Sequence, residues 1–286
     1  MIVNTLFLIA ALPFSAGGLA SLLFGKVNRQ ISVPGLLFHS VIPGALLPNL
    51  SCYSTKKFEH LIALLKDQNY QGVTVSSRDK HLPDKKSVLI TFDDGFQCVE
   101  EYALPIIEKF NFKTTIFCVT GFSGKKSSWD IYSNNRHLDN NAIRRIAAQG
   151  HEIGSHTSSH AFLPYLNDTD LRTELATSKK TLEDMTGCPV TSISFPFGGV
   201  NRRVWQYAQQ VGYTYGTIYR DHKKISSPDL FPVYGVYQFE SVENILHKIN
   251  PQNYISVSRA VSVLLSHFSK GTPVWRLRDT YQNITY

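Results

Sequence analysis

The sequence is poor in cysteine, and its few cysteines lack the spacing of a metal or redox motif. Only four occur among 286 residues: Cys52, Cys98, Cys118 and Cys188. No two of them form a CxxC pair, which disfavours a thiolate zinc site or a dithiol redox centre. Four cysteines could still form two disulfides, so the sequence leaves the redox compartment open. Cys118 lies in an apolar run and is expected to be a small buried side chain.

The sequence also lacks a basic run interleaved with aromatic residues. Its formal charge is +7, from 29 Lys and Arg against 22 Asp and Glu. That excess favours an anionic partner such as a phospholipid, a phosphorylated lipid carrier, an acidic glycan or a nucleic acid, although a basic surface without a partner fits equally well. Because no stretch concentrates basic and aromatic side chains, we predict no nucleic-acid partner.

Charged side chains are absent from the first 25 residues, which are rich in Leu, Ala, Ile and Phe. About 20 apolar residues can span a bilayer, so we predict that segment 1–29 is a membrane anchor or an interfacial helix, and that the protein is membrane-associated. An apolar helix packed on the domain is the alternative. Pro13 and Gly17 interrupt the run, and the basic start of a secretory signal is missing. The first charges, Lys26 and Arg29, favour the cytoplasmic side over export.

The rest of the chain has the composition and patterning of an α/β protein. Hydrophobic residues make up 43% and charged residues 18%, which are ordinary globular values. Strand-like and helical patterns alternate with no internal repeat, so we predict one catalytic domain over residues 30–250 and a C-terminal extension over 251–286. A mainly parallel sheet covered on both faces, open or closed into a barrel, fits this alternation.

The predicted strands are 33–38, 72–75, 87–92, 113–119, 190–195, 213–219 and 232–237, and the predicted helices are 55–69, 98–110, 139–149, 168–186, 201–212 and 241–249. Ser54 is expected to cap the first of these helices, and Asp168 or Thr169 the fourth. Gly187 is expected to end that fourth helix. Pro105 should break or kink the second.

Two short motifs follow apolar strand patterns and carry the chemistry. The first, Thr91–Gly95, reads TFDDG and contains Asp93 and Asp94, and the second, His156–His160, reads HTSSH. In a parallel α/β sheet, functional groups collect at the carboxyl ends of strands, where both motifs lie. The two carboxylates and two imidazoles are enough to hold a divalent metal and leave one carboxylate as a base.

Each motif has an ordinary structural explanation as well. Asp-Asp-Gly is a common turn, and two histidines can lie unrelated in a solvated loop. His156 and His160 are four residues apart, so one helical turn would bring both imidazoles to one side. The two motifs end strands expected to be near neighbours, and this conjunction favours a metal site over two coincidences.

Several motifs in a fixed order resemble the polysaccharide deacetylases, the NodB-homology family or carbohydrate esterase family 4. Besides the two motifs above, the likeness includes Leu37–Val41, Gly150–His156 and Phe195–Gly198, and it covers residues 33–250. The resemblance implies a distorted (β/α) barrel with about seven parallel strands.

The same resemblance implies roles for the residues of the two motifs. Asp93 would be the catalytic base, and Asp94, His156 and His160 would bind a divalent metal. Zinc is the first choice for that metal, with cobalt, nickel, iron or manganese as alternatives.

The sequence departs from the family in two places. Many members have Arg-x-Pro-Tyr where this chain has Ser194-Phe-Pro-Phe, so the arginine that orients the base is missing. Many members also have a late Leu-x-His that supplies a general acid. The only formal match here, Leu265-Ser-His267, lies in the C-terminal extension. His39, at the end of the first strand, is a second candidate for the acid.

The resemblance implies a hydrolase that removes an N-acetyl group from an amino sugar in a glycan, a glycolipid or a lipid-linked saccharide and releases acetate. The partner would be that N-acetylated saccharide, in the cell envelope. Two alternatives stay open: hydrolysis of another amide, imide or O-acyl ester, and a glycan-binding domain without turnover. Four aromatic residues could stack on sugar rings or belong to the core: Trp129, Tyr132, Trp205 and Tyr207.

Overall fold

The computed structural model describes residues 33–44, 50–78, 86–128, 135–219 and 227–249. The N-terminal segment 1–29, the C-terminal extension 251–286 and the candidate acid His267 lie outside these described residues, so the predictions on them stay predictions. No helix within the described ranges combines the length and apolar character that a bilayer span requires.

Ten strands and six helices alternate along the described chain. The strands are β1 Gly35–Phe38, β2 Ser40–Ile42, β3 Cys52–Ser54, β4 Tyr70–Val73, β5 Lys86–Phe92, β6 Thr115–Cys118, β7 Glu152–Ser155, β8 Ser192–Ser194, β9 Tyr215–Tyr219 and β10 Leu230–Gly235. The helices are α1 Thr55–Asp67, α2 Leu104–Lys109, α3 Asn140–Ala148, α4 Asp168–Thr186, α5 Arg202–Val211 and α6 Val242–Ile249.

The main sheet closes into a parallel barrel, which confirms the predicted (β/α) fold. Its strand order is β1-β10-β9-β8-β7-β6-β5-β4, and an additional β1–β5 pairing closes a ring of seven strands. One edge of β5 is shared between two partners. Its first half pairs with β4, up to Leu89 beside Val73, and its second half pairs with β1, up to Phe92 beside Phe38. β4 therefore lies outside the closed ring, while β2 and β3 form a separate parallel pair.

Alternating side chains of the strands divide the core into two layers. Val88 and Ile90 belong to the large cluster between barrel and helices, whereas Leu89 packs with Phe117 and Phe231 in a second cluster. Because side chains alternate along a strand, Thr91 and Asp93 share the side of Leu89. The strand therefore carries apolar residues at its start and a carboxylate at its carboxyl end.

Gly154 shows how closely the inner layer is packed. A Cβ at this position would lie 2.4 Å from Cδ1 of Phe117 and 2.7 Å from Oγ of Ser192. Only glycine leaves room for the phenyl ring there, since a well-packed interior has no space for an added methyl group.

The caps of two helices can be compared with the sequence predictions. Ser54 caps α1, as predicted, by accepting from the Lys57 backbone N–H, and Gly187 ends α4 in the left-handed conformation. The cap of α4 is Asn167, not Asp168 or Thr169: Asn167 Oδ1 accepts from the Asp170 N–H at 2.9 Å. Asp168 is already helical, and its carboxylate binds Arg203 instead.

The predicted helix 98–110 is divided in two. A π-helical turn over Val99–Ala103 precedes α2, and Pro105 lies in the first turn of α2. Proline is tolerated in a first turn because the N–H that it lacks has no partner within the helix at that point. The expected break is therefore a change of helix type just before Pro105.

All four cysteines lie within the described chain and are free thiols. Cys52 and Cys118 are buried, which confirms the expectation for Cys118. Burial raises the pKa of the Cys118 thiol to about 12, so this side chain is an inert part of the core.

Candidate active site

Asp93 and Asp94 follow β5 directly, at the carboxyl end of the barrel. The Asp93 N–H donates to the carbonyl of Phe38 at 2.9 Å, which continues the β1–β5 pairing by one step. Asp94 and Gly95 then take left-handed backbone angles, with φ of 68° and 62°. A Cβ at Gly95 would lie 2.9 Å from Cys118 Sγ, so this turn needs glycine on two grounds. Both carboxylates are buried.

The segment His156–His160 is a loop and not the helical turn that the four-residue spacing predicts. Thr157 and His160 have left-handed backbone angles, with φ of 68° and 63°. Side-chain hydroxyls take the place of helical hydrogen bonds: Ser155 Oγ accepts from the Thr157 N–H, and Thr157 Oγ1 accepts from the His160 N–H. The loop still brings the two rings together, with centroids 5.0 Å apart.

The neighbouring loop after β6 holds this turn in place. The Gly121 N–H donates to the carbonyl of Ser158 at 2.8 Å, and the Thr120 N–H donates to that of Thr157 at 3.2 Å. A Cβ at Gly121 would lie 2.6 Å from the Ser158 oxygen, so the close approach requires glycine. The strained backbone that follows β7 is thus supported by hydrogen bonds from the loop after β6.

The three predicted metal ligands converge on one point. Asp94 Oδ1 lies 3.3 Å from His160 Nε2 and 3.6 Å from His156 Nε2. The potential ligand atoms of all three residues lie within 4.8 Å of one another. One carboxylate and two imidazoles within this distance are a ligand set typical of hydrolytic zinc.

The electrostatics prepare Asp94 and His156 for a cation. Burial and the charge of His160 lower the pKa of His156 to about 3, so this imidazole is neutral at pH 7. Burial opposes ionisation of Asp94. The contact with His160, together with the charges of His160, His39 and His156, outweighs burial and holds the pKa of Asp94 below its usual value. A metal ligand must be a neutral imidazole or an ionised carboxylate, and both groups already have that form.

Two features, the orientation of the His156 ring and a buried oxygen of Asp94, show that these residues fit a cation. The Nδ1 of His156 lies 2.8 Å from the carbonyl of Ser194, so Nδ1 carries the proton and the Nε2 lone pair faces the carboxylates. Asp94 Oδ1 is buried and has no hydrogen-bond partner in the part of the chain that the structure describes. Buried carboxylate oxygens are normally paired, so this oxygen needs a positive partner.

Asp93 lies beside the cluster, and its pKa is shifted in the opposite direction from that of Asp94. Burial first, and the charge of Asp94 second, raise the pKa of Asp93 well above its usual range, while a hydrogen bond from Ser194 opposes the rise. Ser194 Oγ donates to Asp93 Oδ2 at 2.9 Å. Two adjacent carboxylates with pKa values pushed in opposite directions are typical of an acid–base residue beside a fixed charge.

Ser194 and His137 belong to the site and were not predicted from the sequence. Ser194 contacts Asp93 through its side chain and His156 through its carbonyl. The Nδ1 of His137 lies 2.7 Å from the carbonyl of Asp94, with the ring near those of Phe96 and Phe122. Both contacts join residues far apart in the chain, so only the order of the strands in the barrel could have indicated them.

The sequence also offered His39 as a candidate acid and four aromatic residues as candidates for stacking on sugar rings. His39 lies half-buried after β1, and its charge lowers the pKa values of both Asp94 and His156. Trp205 is a core residue that packs edge-on against Phe195. Tyr207 hydrogen-bonds Asp168 on the outer helices. Trp129 and Tyr132 lie outside the described residues.

Known sequences match much of this chain. A family model described as "Polysaccharide deacetylase" matches residues 80–216. YxkH of Bacillus subtilis, assigned to the polysaccharide deacetylases, is 32% identical over 197 residues, which cover 67% of this chain and 66% of YxkH. A peptidoglycan-N-acetylglucosamine deacetylase of Bacillus cereus is 29% identical over 44% of this chain and 42% of its own length. The chain therefore spans less than two thirds of the length of these relatives.

A solved structure shares the fold. The crystal structure of a polysaccharide deacetylase from Bacillus cereus has a TM-score of 0.64 with this protein, at 24% identity, and the match covers 76% of this chain and 69% of that one. The matched family segment includes both the Asp93–Asp94 and the His156–His160 motifs. These matches in sequence and in fold place the chain in the polysaccharide deacetylase family.

Proposed function

We propose that this protein is a metal-dependent hydrolase that removes the N-acetyl group from an amino sugar and releases acetate. The observation that carries the proposal is the buried Asp93, with its raised pKa, directly beside the Asp94–His156–His160 cluster. The substrate would be an N-acetylated glycan, glycolipid or lipid-linked saccharide. A related enzyme named for peptidoglycan N-acetylglucosamine supports a saccharide substrate.

The proposed reaction divides the work between the cluster and Asp93. A divalent cation bound by Asp94, His156 and His160, zinc in our proposal, would supply Lewis acidity that polarises the acetamide carbonyl. Asp93, once ionised, accepts a proton from the attacking water as its oxygen bonds to the carbonyl carbon, and the C–N bond breaks in a later step. Ser194 holds the Asp93 carboxylate in place through Oδ2. The amine leaves only after it gains a proton.

We assign the delivery of that proton to His39. It is half-buried after β1, and its charge lowers the pKa values of Asp94 and His156. His39→Gln should lower kcat on an N-acetyl substrate by about 100-fold, in the range for loss of a general acid. An aryl acetate has a leaving group that needs no proton, so its hydrolysis should fall far less. An equal loss on both substrates would exclude His39 as the proton donor.

Ser194 should tune the pH dependence of the reaction. Its hydrogen bond to Asp93 favours the charged carboxylate, so Ser194→Ala should raise the pKa of Asp93 further. The base works only when ionised, so the acidic limb of the kcat/KM profile should move to higher pH. Ser192→Ala is the matched control: Ser192 is buried on the same face of β8, and its hydroxyl has no hydrogen-bond partner among the described residues. An unmoved acidic limb in Ser194→Ala would contradict this role.

The function is tested by release of acetate from paired substrates. The metal-loaded protein is incubated with N-acetylglucosamine oligomers and with O-acetylated sugars, and acetate is measured enzymatically. Faster release from the N-acetyl substrates supports the proposal. Faster release from the O-acetyl substrates favours the alternative of an esterase on the same site. If metal binds but no acetate is released from either set, the N-deacetylase proposal fails.

We further propose attachment to a membrane through residues 1–25, with the catalytic domain on the cytoplasmic side. The support is the uncharged apolar composition of this segment, followed by Lys26 and Arg29, and the net charge of +7. Deleting residues 1–25 should move the protein from the membrane fraction to the soluble fraction. Unchanged partitioning of the truncated protein would contradict the anchor.

A further inference from the structure

Residues 124–127 and 135–138 run antiparallel to each other next to the two loops of the candidate active site. Three backbone hydrogen bonds, between 2.8 and 3.0 Å long, join the two segments. We call these eight residues the cationic arm, because they include Lys125, Lys126 and Arg136 and contain no carboxylate. Three positive charges in so short a stretch, with none of the opposite sign, favour an anionic ligand.

The cationic arm is anchored to both loops that carry the candidate metal ligands. The Leu138 N–H donates to the carbonyl of Gly95 at 2.8 Å, so the arm pairs with the chain directly after Asp94. The segment that leads into the arm contacts the other loop, where the Gly121 N–H donates to the carbonyl of Ser158 at 2.8 Å. A ligand held by the arm is therefore held next to the candidate active site.

Lys126 and Arg136 are direct partners across the cationic arm, although both are positively charged. Backbone hydrogen bonds join the residues on either side of this pair and not its two members. In an antiparallel pair of this kind the side chains are closest, and like charges directly opposite each other are destabilising. An anion bound between the two side chains would remove this repulsion.

The charges of the arm are not neutralised by the protein itself. Lys126 and Arg136 are exposed, and neither forms an ion pair with a carboxylate of the described chain. Arg136 Nη1 donates instead to the carbonyl of Gly124, and Lys125 Nζ donates to that of Gly121 at 2.8 Å. These contacts hold two of the three cationic groups against the backbone, which lowers the entropy lost when a ligand binds.

The Lys126–Arg136 pair lies on the outer face of the arm. His137, the next residue along, is buried, with its Nδ1 2.7 Å from the carbonyl of Asp94. Because side chains alternate along an extended segment, Arg136 and its partner Lys126 point the other way, towards solvent. The pair can therefore hold a ligand without displacing a metal from the candidate ligands.

We propose that Lys126 and Arg136, with Lys125 beside them, form a binding site for a phosphate group next to the candidate active site. A guanidinium presents parallel N–H groups that match two phosphate oxygens, and an ammonium adds a compact positive charge. The phosphate belongs to a phosphorylated saccharide or to a phospholipid headgroup. The site goes beyond the proposed deacetylation and does not depend on it, because phosphate binding needs no turnover.

Binding of a phosphorylated sugar tests the site. Calorimetry with N-acetylglucosamine 1-phosphate and with N-acetylglucosamine is done on the metal-loaded full chain, as wild type and as Lys126→Gln/Arg136→Gln. We expect the double variant to bind the phosphorylated sugar about tenfold more weakly, the range for two exposed charge contacts. The unphosphorylated sugar should bind both proteins equally. Phosphate bound at the metal would also bind both equally, because the variant keeps all three proposed metal ligands.

Vesicles distinguish a lipid headgroup from a phosphorylated saccharide. The same two proteins are sedimented with vesicles of phosphatidylcholine alone and with vesicles that also contain phosphatidylglycerol. If the double variant loses binding to the anionic vesicles only, the ligand is a headgroup phosphate. If it loses binding to the sugar phosphate only, the ligand is a phosphorylated saccharide, and losses in both assays mean that the site accepts both. Equal behaviour of the two proteins in both assays would overturn the proposal.

The matched control is Lys66→Gln/Arg172→Gln. Both residues are exposed, Lys66 in the last turn of α1 and Arg172 on α4, so this variant removes the same two charges away from the arm. It should behave as the wild type in both assays, and a loss equal to that of the arm variant would reduce the effect to net charge and reject the site. The arm variant should keep the thermal midpoint of the wild type or exceed it, because it removes a repulsion.

Discussion

Asp93→Asn is expected to lower kcat on an N-acetyl sugar by about 10³-fold or more while the protein keeps its metal. Loss of a general base costs about 10²–10⁴-fold, and asparagine cannot accept the proton of the attacking water. Asparagine has almost the same shape and can still accept the hydrogen bond that Ser194 donates at 2.9 Å. The fold and the orientation of β8 should therefore be preserved.

Whether Asp93→Asn still binds metal distinguishes a catalytic base from a metal ligand at this position. Asp93 is absent from the group of ligand atoms formed by Asp94, His156 and His160, so the variant should bind metal stoichiometrically in elemental analysis. Asp139→Asn is the matched control, because Asp139 is exposed, caps α3, and asparagine caps equally well. Full activity in Asp93→Asn would show that the assigned base is wrong, and loss of its metal would make Asp93 a ligand.

His156→Ala/His160→Ala is expected to abolish metal binding and with it all turnover. The double variant removes two of the three proposed ligands and, with them, the imidazole nitrogens that lie 3.3 and 3.6 Å from the buried Asp94 carboxylate. The metal of the wild type should approach one equivalent, and the double variant should hold almost none. Because a metal stabilises only the folded form, chelation should lower the thermal midpoint of the wild type and leave that of the double variant unchanged.

The control for this experiment is His60→Ala/His247→Ala. Both histidines are exposed, on α1 and α6, so the pair matches the number and type of substitutions away from the site. That protein should bind metal as the wild type does. Reconstitution with zinc, cobalt, nickel, iron and manganese identifies the preferred ion. Failure of the wild type to bind any of them would remove the basis for a metal-dependent hydrolase.

The sequence was sufficient to predict most elements because local signals and tertiary structure agree. The apolar run of β5 marks a buried strand, and Gly187 and Gly212 take the left-handed angles at helix ends that favour glycine. The cap of α4 was predicted one or two residues too late, at Asp168 or Thr169, because Asn167 and Asp168 are both good caps. The choice depended on Arg203, which binds Asp168 from a helix 35 residues away.

The site was predictable as a set of residues but not as a geometry. Both motifs end strands, so their convergence follows from a parallel sheet, and the ligands Asp94, His156 and His160 do lie together. The four-residue spacing of His156 and His160 suggested a helical turn, with a loop as the alternative, and the structure has the loop. Spacing alone cannot distinguish a helix from a loop with left-handed residues, since both can bring positions i and i+4 together. The hydroxyls of Ser155 and Thr157 decide in favour of the loop.

The contact between Ser194 and Asp93 was not predicted, for a different reason. It lies 101 residues from Asp93, and no local pattern marks a serine as the partner of a carboxylate. The resemblance to the family marks this segment by its missing arginine, and in the structure the Ser194 hydroxyl contacts Asp93. Only the strand order of the closed barrel brings the end of β8 next to the end of β5.

The double contact made by Ser194 has a consequence for how this site can evolve. The orientation of His156 depends on the main-chain carbonyl of residue 194, which every amino acid supplies. The pKa of Asp93 depends on the side chain of residue 194, which one codon change can alter. Under the proposed mechanism, mutation at position 194 can therefore change the pH at which Asp93 works, while the contact between the main-chain carbonyl and His156 is kept. On that mechanism, a change at this one position adapts the protein to more acidic or more alkaline surroundings without altering the three proposed metal ligands.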